Sequence, residues 1–241
     1  ADPDGHTLLL AAFGNMVLQP MLSKRGGADL VAKLRPVSTI STGPHVLVVS
    51  AKLPVKNIPE LIDYARANPG KVSFASAGTG GTAHLGMEMF KALSKTDVIH
   101  VPYKGSAGAV NDLISGEVSA MFSSLPSLQG LADKGLVKVL AATAPSKSAA
   151  TKSLPLISTS LPGFDYTTWY AMYAPLATPK PIVDSINAAL TKALKNTAMA
   201  AKIEAAGTEL QPGSPEEVMA WTQRDTDKWA RVSRDAKISV E

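Results

Sequence analysis

The sequence predicts an α/β fold with mostly parallel sheets, arranged as two lobes. Three observations lead there. Apolar stretches of strand length alternate along the chain with longer stretches of helical periodicity, the pattern of strands joined by crossover helices. At two junctions the strand runs into small and hydroxylated residues, Ser76-Ala77-Gly78-Thr79-Gly80-Gly81-Thr82 and Tyr103-Lys104-Gly105-Ser106-Ala107-Gly108, and a helix follows at once. His45-Val46-Leu47-Val48-Val49-Ser50 is nearly continuously apolar, as a strand covered on both faces must be.

In chain order, Asp4-Gly5 reads as a turn and residues 6–11 as a buried strand. Ala12-Phe13-Gly14-Asn15 is a small-residue loop at that strand's C-terminal end, where open α/β sheets bind ligands. A short helix over 17–22 and strands over 34–40 and 45–50 follow. Asn57 is the N-cap of the next helix, with Pro59 in its first turn and Glu60 at the capping-box position; Asn68-Pro69-Gly70 ends it. A strand over 72–75 enters the first Gly-rich loop, and Leu85, Met89, Phe90 and Leu93 give the helix beyond it its apolar periodicity. Residues 98–101 are the next strand, which enters the second loop. Val110, Leu113 and Ile114 mark a helix closed by Gly116. Strands over 118–122 and 138–143 enclose a loop and helix opened by Ser123-Ser124-Leu125-Pro126, and residues 154–164 are irregular. An aromatic-rich strand over 168–175 leads to Thr178-Pro179-Lys180-Pro181 and a long amphipathic helix carrying Ile182, Ile186, Leu190 and Leu194. A further helix runs to Ala206 and is ended by Gly207. Ser214-Pro215-Glu216-Glu217 is a capping box for a last helix reaching Ala236. The expected lobes are residues 1–46 with 170–241, and residues 47–169, with crossings near Val46 and Tyr170.

Composition narrows the function. With 241 residues the chain can bury a substantial core, and 45% hydrophobic against 18% charged residues is ordinary for a globular protein. No apolar run reaches the roughly 18 residues a membrane-spanning helix needs. The net charge of +4 is spread along the chain, so no nucleic acid partner is expected. The absence of cysteine removes thiol catalysis, disulfides and zinc–thiolate sites.

The two small-residue loops are the candidate site. A helix start exposes unpaired amides and the positive end of the helix dipole, and Ser76, Thr79 and Thr82 add hydroxyl donors. Such a site suits an anion, carboxylate or phosphate alike. No lysine stands between Lys71 and Lys91, which excludes a P-loop. The dinucleotide fingerprint is matched only in part and lacks its acidic ribose partner. No Gly-x-Ser-x-Gly, His-Glu-x-x-His or paired cleft carboxylates occur. His6, His45 and His100 read as structural histidines, whereas His84 either donates to a ligand or caps its turn. Tyr103 and Trp169 are either an apolar wall or core, and Lys104 either offsets a ligand charge or is simply solvated. The cleft reads as a binding site without a cofactor, not as a reactive one.

Several spaced motifs share an order with a known family. They are Pro3-Asp4-Gly5-His6-Thr7-Leu8-Leu9, Leu53-Pro54-Val55-Lys56, Pro69-Gly70-Lys71-Val72, Ala75-Ser76-Ala77-Gly78 with His84-Leu85, His100-Val101-Pro102-Tyr103-Lys104-Gly105, and Trp169-Tyr170 with Ala174-Pro175-Leu176-Ala177-Thr178-Pro179. In these the chain resembles the substrate-binding proteins of tripartite tricarboxylate transporters, the Bug receptors. The resemblance implies a two-lobed periplasmic binding protein of type II. It implies a small organic carboxylate held between the lobes and delivery to two integral membrane permease subunits. Carried over, the ligand-binding residues are Phe13, Gly14 and Asn15 from one lobe, facing Ser76, Ala77, Gly78, Thr79, Thr82 and His84, then Tyr103, Lys104, Gly105, Ser123 and Trp169. Two departures bear on this. The resemblance implies a further N-terminal strand and helix with a Pro-Gly-Gly loop ahead of residue 1, so this sequence is expected to be either a piece of a longer receptor or a shortened form. Many family members have an aspartate where Ser123 and Ser124 stand, so a plain organic acid is expected in preference to an amino acid. The alternatives are a degenerate or sensory binding protein without a transport role, and an α/β enzyme.

Overall fold

The computed structural model describes residues 1–22, 27–205 and 207–235. The elements are β1 (Leu9–Ala12), a π-helical turn (Gly14–Leu18), α1 (Gln19–Leu22), α2 (Gly27–Ala32), β2 (Leu34–Pro44) and β3 (Val46–Ser50). There follow α3 (Ile58–Ala67), β4 (Val72–Ser76), α4 (Thr82–Ser94), β5 (Val98–Pro102), α5 (Ser106–Ser115) and β6 (Ala120–Ser123). Next come α6 (Leu125–Asp133), β7 (Val137–Ala142), α7 (Ile157–Ser160) and β8 (Thr167–Pro175). The chain ends with α8 (Lys180–Leu194), α9 (Thr197–Ala205), β9 (Glu209–Leu210) and α10 (Pro215–Asp235). The helix ends expected at Ala206 and Ala236 fall outside the described residues.

The strands form two sheets, ordered β1-β8-β2-β9 and β5-β4-β6-β3-β7. Every neighbouring pair of the first is antiparallel. In the second, β4 runs parallel to β5 and β6, while β3 lies antiparallel between β6 and β7. The expectation of mostly parallel sheets is therefore corrected: the first sheet is antiparallel and the second is mixed. The reason lies in how the chain changes sheets. Strands joined by single helices, β4-α4-β5 and β5-α5-β6, keep one direction. The strands entered from the other sheet, β3 and β8, are not reached by a crossover from a strand of their own sheet and run against their neighbours.

The two crossings lie side by side. His45 alone links β2 to β3. Its amide donates to the Thr143 hydroxyl at 2.9 Å, and its carbonyl accepts the Thr143 amide at 2.9 Å. Tyr166 closes the set: its amide donates to the Thr143 carbonyl at 3.3 Å and its hydroxyl lies 2.5 Å from His45 Nδ1. Thr167, Thr168 and Trp169 already pair with β2, so the return to the first sheet is complete before Tyr170.

One apolar core runs through both sheets. Trp229 of α10 meets Phe13 and Tyr166 with ring centroids 6.0 and 6.1 Å apart. From Tyr166 the contacts pass to Phe122, then Phe74, then Phe90, at 6.0, 5.9 and 5.6 Å. These six rings are all buried. Gly86 makes the join possible, because a Cβ there would lie 2.9 Å from Tyr166 Cε1 and 3.3 Å from Phe122 Cδ2.

Two helices away from the β4–α4 and β5–α5 loops carry complete N-caps, as their sequences require. In α3 the Glu60 amide donates to Asn57 Oδ1 at 2.9 Å, and Glu60 Oε2 accepts the Lys56 amide at 2.8 Å. At α10 the Glu217 amide donates to Ser214 Oγ at 3.3 Å and Glu217 Oε2 accepts the Ser214 amide at 2.7 Å.

Candidate functional site

Because β4, β5 and β6 point the same way, their C-terminal ends share one sheet edge, and α4, α5 and α6 all begin there. None of the three has a side-chain cap or an acidic residue in its first turn. In α4 the first amide to reach a carbonyl is that of Leu85, bonded to Gly81 O at 3.1 Å. The amides of Thr82, Ala83 and His84 are left without backbone partners, as at any uncapped helix start. Three uncapped helix starts therefore face one edge with no carboxylate in their first turns, which favours an anion there.

The loops are stiffened internally. The Tyr103 amide donates to Ser76 O at 2.9 Å and the Gly105 amide to Ala77 O at 3.1 Å, so the second loop continues the pairing of β4 with β5. Gly78 at φ 152° and Gly105 at φ 105° take backbone conformations that side chains resist. Ser76 is buried; its hydroxyl donates to Gly78 O at 3.0 Å and accepts the Gly78 amide at 3.2 Å. His100 Nε2 lies 2.7 Å from the same oxygen. The Gly80 amide donates to His84 Nδ1 at 3.0 Å, and His84 Nε2 lies 3.7 Å from Glu88 Oε1. Burial draws His84 down to about 4 with help from neighbouring His100, and burial lowers His100 as well. Burial raises Glu88, against the opposing pull of Lys91.

The expected site residues separate into two groups. Ser76, Ala77, Gly78, Thr79, Thr82 and His84, with Tyr103, Lys104, Gly105 and Ser123, gather on the edge of the second sheet. Ala77, Thr79 and Lys104 are exposed there, and Thr82 is half-buried. Gly14 comes to them from the first sheet's side: a Cβ on it would lie 3.2 Å from Thr82 Oγ1. Asn15, beside it, is exposed. Phe13 and Trp169 are instead core residues, 1% exposed each, with ring centroids 5.9 Å apart. The Trp169 indole donates to Asp225 Oδ2 at 2.7 Å, so its polar edge is satisfied inside the protein. Tyr103 turns its hydroxyl to Asp112 Oδ2 at 2.5 Å; desolvation and that carboxylate push it up to about 12. Ser123 Oγ sits 3.1 Å from Ser127 Oγ in a small hydroxyl cluster that includes Ser124.

Sequence reasoning missed His100, Glu88 and Asp112. His100 reads as a strand histidine, which it is; its role appears only because β5 lies beside β4. Asp112 lies nine residues beyond Tyr103, on the helix whose start the tyrosine precedes. No signal in the local pattern links those two.

The arrangement is suited to holding an anion. Among the described residues no group of three or more His, Asp or Glu side chains is placed to hold a metal.

Comparison with known proteins decides the class. The family model described as "Tripartite tricarboxylate transporter family receptor" matches residues 1–238. The chain belongs to this receptor family. A curated relative, "UPF0065 protein in tcbD-tcbE intergenic region" from Pseudomonas sp. (strain P51), is 33% identical over all of this chain and 72% of its own length. The solved structure of R. palustris Rpa4515 with adipate superposes with a TM-score of 0.91 at 30% identity, covering 99% of this chain and 80% of that one. The periplasmic binding protein BugD superposes at 0.88 with 29% identity, over 100% and 81%. MatC from Rhodopseudomonas palustris with bound malate superposes at 0.82 with 25% identity, over 96% and 80%. The receptor thus has the bilobal type II periplasmic binding-protein fold. It is a periplasmic solute receptor and not an enzyme.

Proposed function

We propose that this receptor holds a small organic carboxylate between its lobes and hands it to two integral membrane permease subunits. The observation that carries the ligand class is the common edge of α4, α5 and α6, three helix starts with neither a capping side chain nor an acidic first turn. A carboxylate there accepts hydrogen bonds from first-turn amides and gains from the aligned dipoles. The adipate and malate of the similar structures are ligands of the same chemistry. The binding residues in this reading are Gly14, Asn15, Ala77, Gly78, Thr79, Thr82, Tyr103, Lys104, Gly105 and Ser123. Phe13, Ser76, His84 and Trp169 shape the site from beneath. Ser123 and Ser124 offer hydroxyls and no anion for an ammonium group, which favours plain acids over amino acids. The lobe division of 1–46 with 170–241 against 47–169 belongs to the same proposal, with Thr167–Trp169 joining the first lobe by their pairing to β2.

A thermal-shift series tests this. Adipate and malate are each compared with aspartate, glutamate and the uncharged diamide of adipic acid. A ligand at a hundred times its Kd stabilises by about 2.7 kcal/mol, a shift that is easily read. The expected outcome is a melting rise with the plain acids and none with the diamide. A rise confined to aspartate and glutamate overturns the plain-acid reading, and no rise with any acid overturns the carboxylate reading.

A further inference from the structure

The imidazoles of His84 and His100 stack with ring centroids 3.9 Å apart and planes 20° from parallel. Each holds one end of the turn between β4 and α4. His100 Nε2 meets Ser76 Oγ at 2.7 Å, and His84 Nδ1 accepts the Gly80 amide at 3.0 Å. Proton counting gives one consistent assignment. With the single Ser76 proton directed to Gly78 O, the 2.7 Å contact to His100 is a hydrogen bond when the imidazole donates from Nε2. His84 accepts at Nδ1, so its proton is also on Nε2, on the side of Glu88. Both rings are neutral in this pattern. Protonating His84 at Nδ1 would set an N–H against the Gly80 N–H.

The stack decides which donors the loop keeps for itself. The Gly78 and Gly80 amides and the Ser76 hydroxyl are consumed internally. Ala77, Thr79 and the first turn of α4 are left to face outward. The Glu88 carboxylate approaches His84 Nε2 at 3.7 Å, and burial keeps both imidazoles below their ordinary range.

We propose that His84 and His100 are positioning residues: stacked on one another and hydrogen-bonded to opposite ends of the Ser76–Gly80 turn, they hold it in the form whose remaining amides receive the ligand. This rests on the carboxylate reading for its ligand, and its own geometry can be tested without one.

The first measurement is a long-range proton–nitrogen correlation spectrum of the imidazoles in the uniformly nitrogen-15-labelled, ligand-free protein at neutral pH. Both His84 and His100 are expected as the Nε2–H tautomer. His84 protonated on Nδ1, or either ring charged, overturns the proposal whatever the protein binds. The second compares His84→Asn, whose Oδ1 can replace the acceptor at Nδ1, with His84→Phe, which keeps a flat ring and deletes the acceptor. With adipate as probe, affinity is expected to fall about tenfold in H84F, the cost of an orphaned amide, and to stay within about threefold in H84N. The Gly80 amide resonance should move in H84F and hold in H84N. Equal affinity in wild type and H84F overturns the positioning role. A wild type that binds no acid defeats the carboxylate reading instead, and the tautomers and the Gly80 resonance then decide this inference alone.

Discussion

Gly86 shows how much one absent methyl can govern. It sits on the inward face of α4, where Tyr166 Cε1 and Cδ1 would meet an added Cβ at 2.9 and 3.2 Å. The displaced ring could not swing freely, because its hydroxyl is held by His45 and its face by Phe122 and Trp229. Gly86→Ala is therefore expected to destabilise the protein by about 1–3 kcal/mol, as overpacking does, despite the better helix propensity of alanine. Urea denaturation of the two proteins checks this; a midpoint unchanged or raised would show that the crossing tolerates the methyl. The same scale shows where a sequence stops being informative. Asn57 and Ser214 are legible as caps because their partners, Glu60 and Glu217, stand three residues away. Trp169 is not, because the group that makes its indole a core residue is Asp225, fifty-six residues along the chain. An aromatic in a strand beside a cleft looks the same in sequence whether it lines the cleft or lies behind it.

At the scale of elements, the proposed site turns on the contrast between capped and uncapped helices. Gly81, the N-cap of α4, has φ −77° and ψ 170°, extended backbone open to any residue, and a Cβ there meets only Gly78 O at 3.4 Å. Gly81→Asp would let a carboxylate accept the first-turn amides, as Asn57 does for α3. We expect the helix to gain a few tenths of a kcal/mol from the cap and about 0.3–1 kcal/mol from the dipole. The same carboxylate would occupy the donors and repel the ligand, so the melting temperature should rise while the response to adipate disappears. Loss of response without loss of stability is the signature that separates this from misfolding; a variant that still responds would move the ligand away from α4. Such a trade is the usual mark of a site that forgoes stability for binding. The helices and loops that make this edge are legible in the sequence, since Gly-rich junctions and apolar periodicity are local features. The direction of β3 and β8 is not, because it depends on which sheet the chain has just left. The stacking of His84 on His100 is hidden for the same reason, since it requires β5 to lie beside β4.

For the whole molecule the question is what sets the angle between the lobes. The paired crossings at His45, Thr143 and Tyr166 form one hinge line. Among the contacts that join the sides away from it, two lie around β9. Gly207, at φ 78°, packs so closely on Pro126 that a Cβ would lie 2.6 Å from its ring, at the start of α6. Beside it Glu209 of β9 reaches the loop after β7. Its Oε1 accepts from the Ser146 hydroxyl at 2.7 Å, from the Lys147 amide, and from the Ser148 amide at 3.2 Å. Burial alone would raise this carboxyl, but those three hydrogen bonds, with the charge of Lys147, hold it below the ordinary glutamate range. The folded protein thus favours the ionised form. Its contribution to stability is present above the ordinary glutamate range and is lost as pH falls through the depressed value. Under the proposed division this is a latch between lobes. Glu209→Ala should open the ligand-free receptor, visible as a larger radius of gyration in small-angle scattering. It should also weaken adipate binding by the fraction of molecules drawn from the closed form. Removing the acceptor from three donors also costs stability, on the order of 1–3 kcal/mol. The wild type should widen in the same way on acidification, while the variant, already open, should show little further change. Identical scattering from both proteins at neutral pH would mean that the other contacts between the lobes hold them, and that Glu209 serves only to order its loop.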